Sequence, residues 1–197
     1  MVDAEVEVSV REAIKVLERL GARVEEVSLP YLKHQVPIST TIVLAEAACY
    51  HEHSLRTRAA DYQPDVRERL EMGKFMLATD YVKAQRLRSL LRKDFDEAFK
   101  RVDVIVHPGQ PVPATKVGET TVKIGDKTES VLSAMVRFNR PANQTGLPAI
   151  SVPCGFTDAG LPVGLQVMGK PFAEATVLQV AHAYEMNTEW HKRRPPE

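Results

Sequence analysis

The chain has 197 residues, 44% of them hydrophobic, enough to bury a substantial core in one domain. Twenty-six Lys and Arg balance twenty-six Asp and Glu, so composition offers no electrostatic footprint for nucleic acid or for an anionic membrane. No apolar run approaches the ~20 residues a membrane-spanning helix needs, the acidic start Met1-Val2-Asp3-Ala4-Glu5 is unlike a signal peptide, and the two cysteines, Cys49 and Cys154, are too few for a disulfide framework; together these point to reduced thiols and a cytoplasmic protein.

Val10, Ala13, Ile14, Leu17 and Leu20 fall at helical spacing with Gly21 directly behind them as a C′ residue, which predicts an opening amphipathic helix. Ala22 to Leu29, with Val24, Val27 and Leu29 before Pro30, predicts a short strand at a sheet edge or flank. From Ser39 a helix rich in small residues runs through Ile42, Val43, Ala45, Ala47, Cys49 and Tyr50 and fades into the polar stretch from Arg56 to Gln63; Pro64 then starts a short helix at its first position. The clearest helix spans Thr79 to about Arg101, with Thr79 as N-cap and Tyr81, Ala84, Leu87, Leu91, Phe95 and Ala98 as one apolar stripe. Its basic face, Lys83, Arg86, Arg88, Arg92 and Lys93, is interspersed with Asp94, Asp96 and Glu97 and lacks interleaved aromatic residues, so it reads as a solvated face.

Val102 to Val106 predicts a strand, and a Pro-, Gly- and Thr-containing loop follows from about 107 to 128, long for a compact domain. A helix-like segment from Glu129 to Arg140 comes next. The most informative stretch then reads as a β-hairpin: alternating apolar residues up to Phe156, a turn at Thr157-Asp158-Ala159-Gly160, and a second alternating run from Pro162 to Gly169. A last helix runs from about Ala173 to Met186. The whole predicts a single α/β unit over residues 1–197, a mixed β-sheet with flanking helices.

His51-Glu52-His53 attracts notice, but i, i+2 spacing puts the two imidazoles about 200° apart on a helix, which argues against a metal site. No metal and no cofactor are expected. His107 stands at a strand C-terminus before Pro108, where open α/β sheets gather ligand contacts; it can equally be a histidine capping a strand end. Arg140 could reach a carboxylate or carbonyl of a substrate or lie exposed, and Asn143, between Pro141 and the turn at Thr145-Gly146, could hold that turn or a substrate. Ser151 and Cys154 stand in no Gly-x-Ser-x-Gly elbow and are expected to pack or bond within the hairpin.

The run Asn143-Gln144-Thr145-Gly146-Leu147-Pro148-Ala149-Ile150-Ser151-Val152-Pro153-Cys154-Gly155-Phe156, with Gly160-Leu161-Pro162-Val163-Gly164-Leu165-Gln166-Val167-Met168-Gly169 behind it, closely resembles the C-terminal portion of the amidase signature family. That family comprises serine amide hydrolases, among them amidases and the A subunit of glutamyl-tRNA amidotransferase. Asp103 to Pro113 resembles the family's strand ending in a Pro-rich cavity segment, Leu161 to Pro196 its terminal strand and helix, and Val2-Asp3-Ala4-Glu5-Val6 its Asp-Pro-Glu-Val start of this portion. The family's nucleophilic Ser, second Ser and Lys base lie in a Gly/Ser-rich stretch; here the chain contains no Gly-Gly and no Ser-Ser.

The resemblance therefore implies the C-terminal part of the amidase signature fold with the catalytic core missing, and no catalytic residue of its own. It implies sheet scaffold plus part of a substrate cavity, for which His107, Pro108, Gly109, Arg140, Asn143, Thr145 and Gly146 are the candidates. His107-Pro108-Gly109 stands where the family usually reads Thr-Pro-Thr, and Ser133 to Arg140 lacks the carboxylate that amidotransferase A subunits carry before Pro-Ala-Asn. The implied partner is the missing N-terminal catalytic half or a full-length relative, with self-association through uncovered surface. The alternatives are a stand-alone binding or assembly module and a fragment of the A subunit of a glutamyl-tRNA amidotransferase.

Overall fold

The computed structural model describes residues 1–194; residues 195–197, into which the segment resembling the terminal helix extends, lie outside the described residues. The chain divides into two compact units, Met1–Ser28 with Asp96–Glu197, and Leu29–Phe95. The first helix, α1 (Ala4–Arg19), starts where the Asp3 carboxylate accepts from the N–H groups of Glu5 and Val6 at 2.9 and 3.4 Å, and Gly21 beyond its end has φ +100°. It buries Val6, Val10, Ala13 and Leu17, the predicted 3.6-residue stripe. The strand expected at Ala22 to Leu29 is absent: the segment pairs with no strand and leaves Val24 49% exposed, so it has neither ladder nor buried face to hold it extended.

The unit Leu29–Phe95 is helical. It contains α2 (Gln35–Tyr50), α3 (Glu52–Thr57), α4 (Pro64–Gly73, with Pro64 at its first position) and most of α5 (Ala78–Ala98). Gly73 lets α4 approach α2: a Cβ there would stand 2.1 Å from the Leu44 carbonyl oxygen and 2.7 Å from the Ala48 Cβ. Helix α5 begins one residue before Thr79, which lies inside its first turn and does not cap it. Its predicted stripe is seen, with Ala84, Leu91, Phe95 and Ala98 buried. No helix among the described residues is long and apolar enough to cross a membrane.

The larger unit continues with β1 (Val104–Pro108). The segment expected as loop to about residue 128 carries a hairpin in its second half, β2 (Thr121–Ile124) and β3 (Lys127–Ser130), turning at Gly125 with φ +58°. The signal was present: Val122 and Ile124 alternate with polar residues and Gly125-Asp126 is a two-residue hairpin turn. The helix expected from Glu129 to Arg140 is two short helices, α6 (Val131–Val136) and α7 (Arg140–Thr145), because Pro141 starts a new helix. The predicted hairpin is β4 (Ala149–Phe156) and β5 (Pro162–Gly169), and α8 (Glu174–Met186) ends the order of α and β elements among the described residues.

Strands β1, β5 and β4 form one antiparallel sheet in that order, so the α/β class holds with both sheets antiparallel. Helices α1 and α8 cover one face. Val152, Cys154, Val163, Leu165 and Val167 of the sheet meet Val6, Val10, Ala13 and Leu17 of α1 and Val177, Ala181 and Tyr184 of α8 in one buried cluster. A fully buried side chain such as Leu165, at 0% exposure, contributes about 1.5–3 kcal/mol by removal from water.

Candidate functional site

Residues opposite each other in an antiparallel pair share a face of the sheet. Ser151 of β4 lies opposite Gln166 of β5, and Gln166 lies opposite His107 of β1. This row stands on the face turned away from α1 and α8, and the α6–α7 segment reaches onto it. Gln166, 7% exposed, donates from Nε2 to Asn139 Oδ1 at 3.1 Å, and Asn139 donates from Nδ2 to the Met135 carbonyl at 3.3 Å. The other amide atom of Gln166, Oε1, is buried without a hydrogen-bond partner, which costs about 1–3 kcal/mol.

His107 has its Nδ1 2.8 Å from the Pro108 carbonyl oxygen and its Nε2 3.1 Å from Met168 Sδ, with its ring 5.6 Å from that of Phe138. Burial pulls the His107 pKa below the usual imidazole value, and the Pro108 carbonyl offsets part of that. A neutral imidazole has a single N–H, which serves only one of these two acceptors.

Two glycines shape the end of the row. The Gly109 N–H donates to the Gly164 carbonyl at 2.7 Å; a Cβ on Gly164 would stand 2.7 Å from Ser151 Oγ, and one on Gly109 3.3 Å from the same atom. The absence of two side chains thus makes room for the Ser151 hydroxyl over the sheet. Of the two roles expected for Ser151 within the hairpin, bonding is not seen: the side chain is exposed and its hydroxyl bonds to nothing among the described residues. Beside it opens a cavity of about 370 Å³, lined by Gly109, Asn139, Ser151 and Gly164 together with Val6 and Val112; none of its lining side chains is charged.

Of the candidate residues, Gly109 lines this cavity and His107 shares its face of the sheet. Pro108 pairs with Leu165 on the core side. Arg140 heads α7 with Nη1 buried and unpartnered, and burial lowers its pKa. Asn143 is exposed on the same helix; Thr145 is buried and donates to the Pro141 carbonyl at 2.6 Å; Gly146 ends the helix at φ +73°. Asn139, Ser151 and Gly164 of the cavity lining, and Gln166 bonded to Asn139, are not among the candidates read from sequence. The available signal was polar Ser151 and Gln166 recurring on the non-core phase of an alternating hairpin.

Cys154 is 2% exposed at a bulge between Pro153 and Gly155, and burial pushes its thiol up to about 12. Among the described residues no group of three or more His, Cys, Asp or Glu could hold a metal ion.

Residues 1–178 match the family model described as Amidase. The chain is 41% identical over 216 residues to the A subunit of the glutamyl-tRNA(Gln) amidotransferase of Thermodesulfovibrio yellowstonii, a match covering 98% of this chain and 44% of that protein. It is 42% identical over 195 residues to an amidase of Pseudomonas putida, covering 98% and 42%. Among solved structures, a crystal structure of an amidase superposes with a TM-score of 0.88 at 31% identity, covering 94% of this chain and 42% of the other. The A subunit of the glutamyl-tRNA(Gln) amidotransferase from Thermotoga maritima superposes at 0.71 with 38% identity, covering 95% and 40%. The chain belongs to the amidase family and spans less than half the length of the relatives it matches.

Proposed function

We propose that the chain is the C-terminal portion of an amide hydrolase acting on carbon–nitrogen bonds other than peptide bonds. In that enzyme it supplies sheet scaffold and one wall of the substrate cavity, and by itself it turns nothing over. The state of its two candidate nucleophiles carries this reading. Ser151 has no base bonded to its hydroxyl, and the Cys154 thiol, pushed up to about 12, stays protonated at neutral pH; neither is an activated nucleophile. Large exposed apolar side chains, Tyr50 at 84%, Phe75 at 82% and Phe172 at 94%, support covering by a further catalytic portion, by a full-length relative or by self-association.

The parent reaction is that of a general amidase, not of a glutamine-using amidotransferase. Relatives of both kinds match at 41% and 42% identity, so the preference rests on residues. Ser133 to Arg140 carries no carboxylate, and Glu129, which does reach this segment, is engaged by Arg137. A substrate ammonium buried there without a counter-charge costs several kcal/mol.

Purified chain assayed on small aliphatic and aryl amides, with a full-length relative as positive control, should release no product above buffer. Turnover that Ser151→Ala or Cys154→Ala abolishes would sink the inactive-portion reading. Fused to the remaining part of an amidase relative, the chain should support hydrolysis of simple carboxamides in preference to glutamine; the reverse preference would assign the amidotransferase branch.

A further inference from the structure

Every residue of β5 from Leu165 to Gly169 is buried, and Gln166 carries the one polar side chain among them; its neighbours Leu165, Val167 and Met168 are at 0% exposure. Among the described residues its amide makes a single bond, Nε2 to Asn139 Oδ1 at 3.1 Å, and leaves Oε1 buried and unpartnered. One bond set against one orphaned acceptor is no gain in stability, and an apolar side chain of the same size would serve the fold as well. The reason for an amide at this position lies at the other end of its bond.

That end is a side chain which the local backbone does not hold. Asn139 stands between α6 and α7, each six residues long, and lines the cavity of about 370 Å³. Two bonds fix its amide: Nδ2 donates to the carbonyl of Met135, which is packed against Val112, Ile124 and Ala134, at 3.3 Å, and Oδ1 accepts from Gln166. One partner is an acceptor and the other a donor, so turning the Asn139 amide over would set oxygen against oxygen and N–H against N–H. Each of its polar atoms keeps one valence unused, an N–H on Nδ2 and a lone pair on Oδ1. That combination complements an uncharged carboxamide, and no charged side chain lines the cavity to favour an ionic group instead.

We propose that Asn139 is a specificity-determining contact for the carboxamide of the substrate and that Gln166 is its positioning residue, locking the Asn139 amide in one orientation. The substrate contact rests on the hydrolase reading; the lock needs only the chain itself.

The lock is tested in the isotope-labelled chain by the NMR order parameter of the Asn139 side-chain amide. It should lie near the rigid value of about 0.85, fall below about 0.6 in Gln166→Leu, and stay high in Ser151→Ala, which alters the same cavity without touching the bond. The contact is tested in the chain fused to the remaining part of an amidase relative. There Gln166→Leu and Asn139→Ala should each raise KM for simple carboxamides about tenfold, the scale of one lost hydrogen bond, with kcat little changed. The double variant should lose no more than either single one, because Gln166 acts through Asn139. Tm should fall by no more than about 4 °C in Gln166→Leu. An order parameter unmoved by Gln166→Leu would overturn the lock. Additive losses, or a lowered Tm with KM unmoved, would make Gln166 merely structural and overturn its role at the site. A fusion with unaltered residues that hydrolyses no amide would instead sink the hydrolase reading and the substrate contact with it, while the order parameter still decides the lock.

Discussion

The two faces of the β1–β5–β4 sheet are built from the same strands and differ in nearly everything else. One carries Val152, Leu165 and Val167 into a sealed cluster with α1 and α8. The other carries Ser151, Gln166 and His107, with a buried amide oxygen left unpaired, a histidine whose pKa burial lowers and a hydroxyl exposed beside a cavity. Period-2 alternation assigns residues to faces, but only the first face gains its stability from that assignment. The second gives up stability to hold polar groups in place, which is the usual mark of a surface meant for contact.

The sharpest way to break this contrast is to cut into each face in turn. Leu165→Ala should lower unfolding free energy by about 2–5 kcal/mol in denaturant titration, since it opens a cavity in the packed cluster. Gln166→Leu, one residue along, should cost about 1 kcal/mol or less, because the lost bond to Asn139 is offset by removal of the unpaired Oε1. Equal costs for the two would mean that the polar face is a second core.

A smaller effect comes with alkali. The Cys154 thiol is raised by burial from 9.0 to about 12, and the Tyr184 phenol from 10.0 to about 12 by burial first and Cys154 second. Both groups bind their protons more tightly folded than unfolded. Their contribution is therefore complete below pH 9 and is lost as pH rises toward about 12. Unfolding free energy should fall steadily across that window, and Cys154→Ala should flatten part of the slope. In the native chain a thiol reagent should modify exposed Cys49 and spare Cys154; rapid reaction of both would show that the core face is open.

The smallest effect tests how the glycines hold the polar face. Gly164→Ala places a Cβ 2.7 Å from Ser151 Oγ, a clash with the end of an exposed side chain that should cost about 1 kcal/mol. Ser151→Gly in the same chain should recover most of it. Additive costs in that double-mutant cycle would show that Ser151 does not lie over Gly164.

How far the sequence reached depended on whether a segment's partner lies close along the chain. Helix α1 with its apolar stripe and Gly21, helix α4 from Pro64 and the β4–β5 hairpin were legible because stripe, stop and turn are all local. Ala22 to Leu29 misled because a strand pattern without a neighbouring ladder is not a strand. The 121–130 hairpin was missed for a different reason: its strands are four residues each, and composition rich in Gly and Thr hid their alternation. At the site, His107 and Gly109 were reachable from the end of β1, whereas Asn139 and Gln166 are joined by a bond spanning 27 residues.

The sequence by itself determined the amidase family, the hairpin and the phase of its apolar residues, because motif order and period-2 alternation are written along one dimension. Tertiary structure alone decided which polar residues meet on the far face and that Gly109 and Gly164 open the space occupied by Ser151. Those facts depend on register and on chain returning from distant positions, and burial, desolvation and unpaired hydrogen-bonding groups exist only once the backbone has closed on itself.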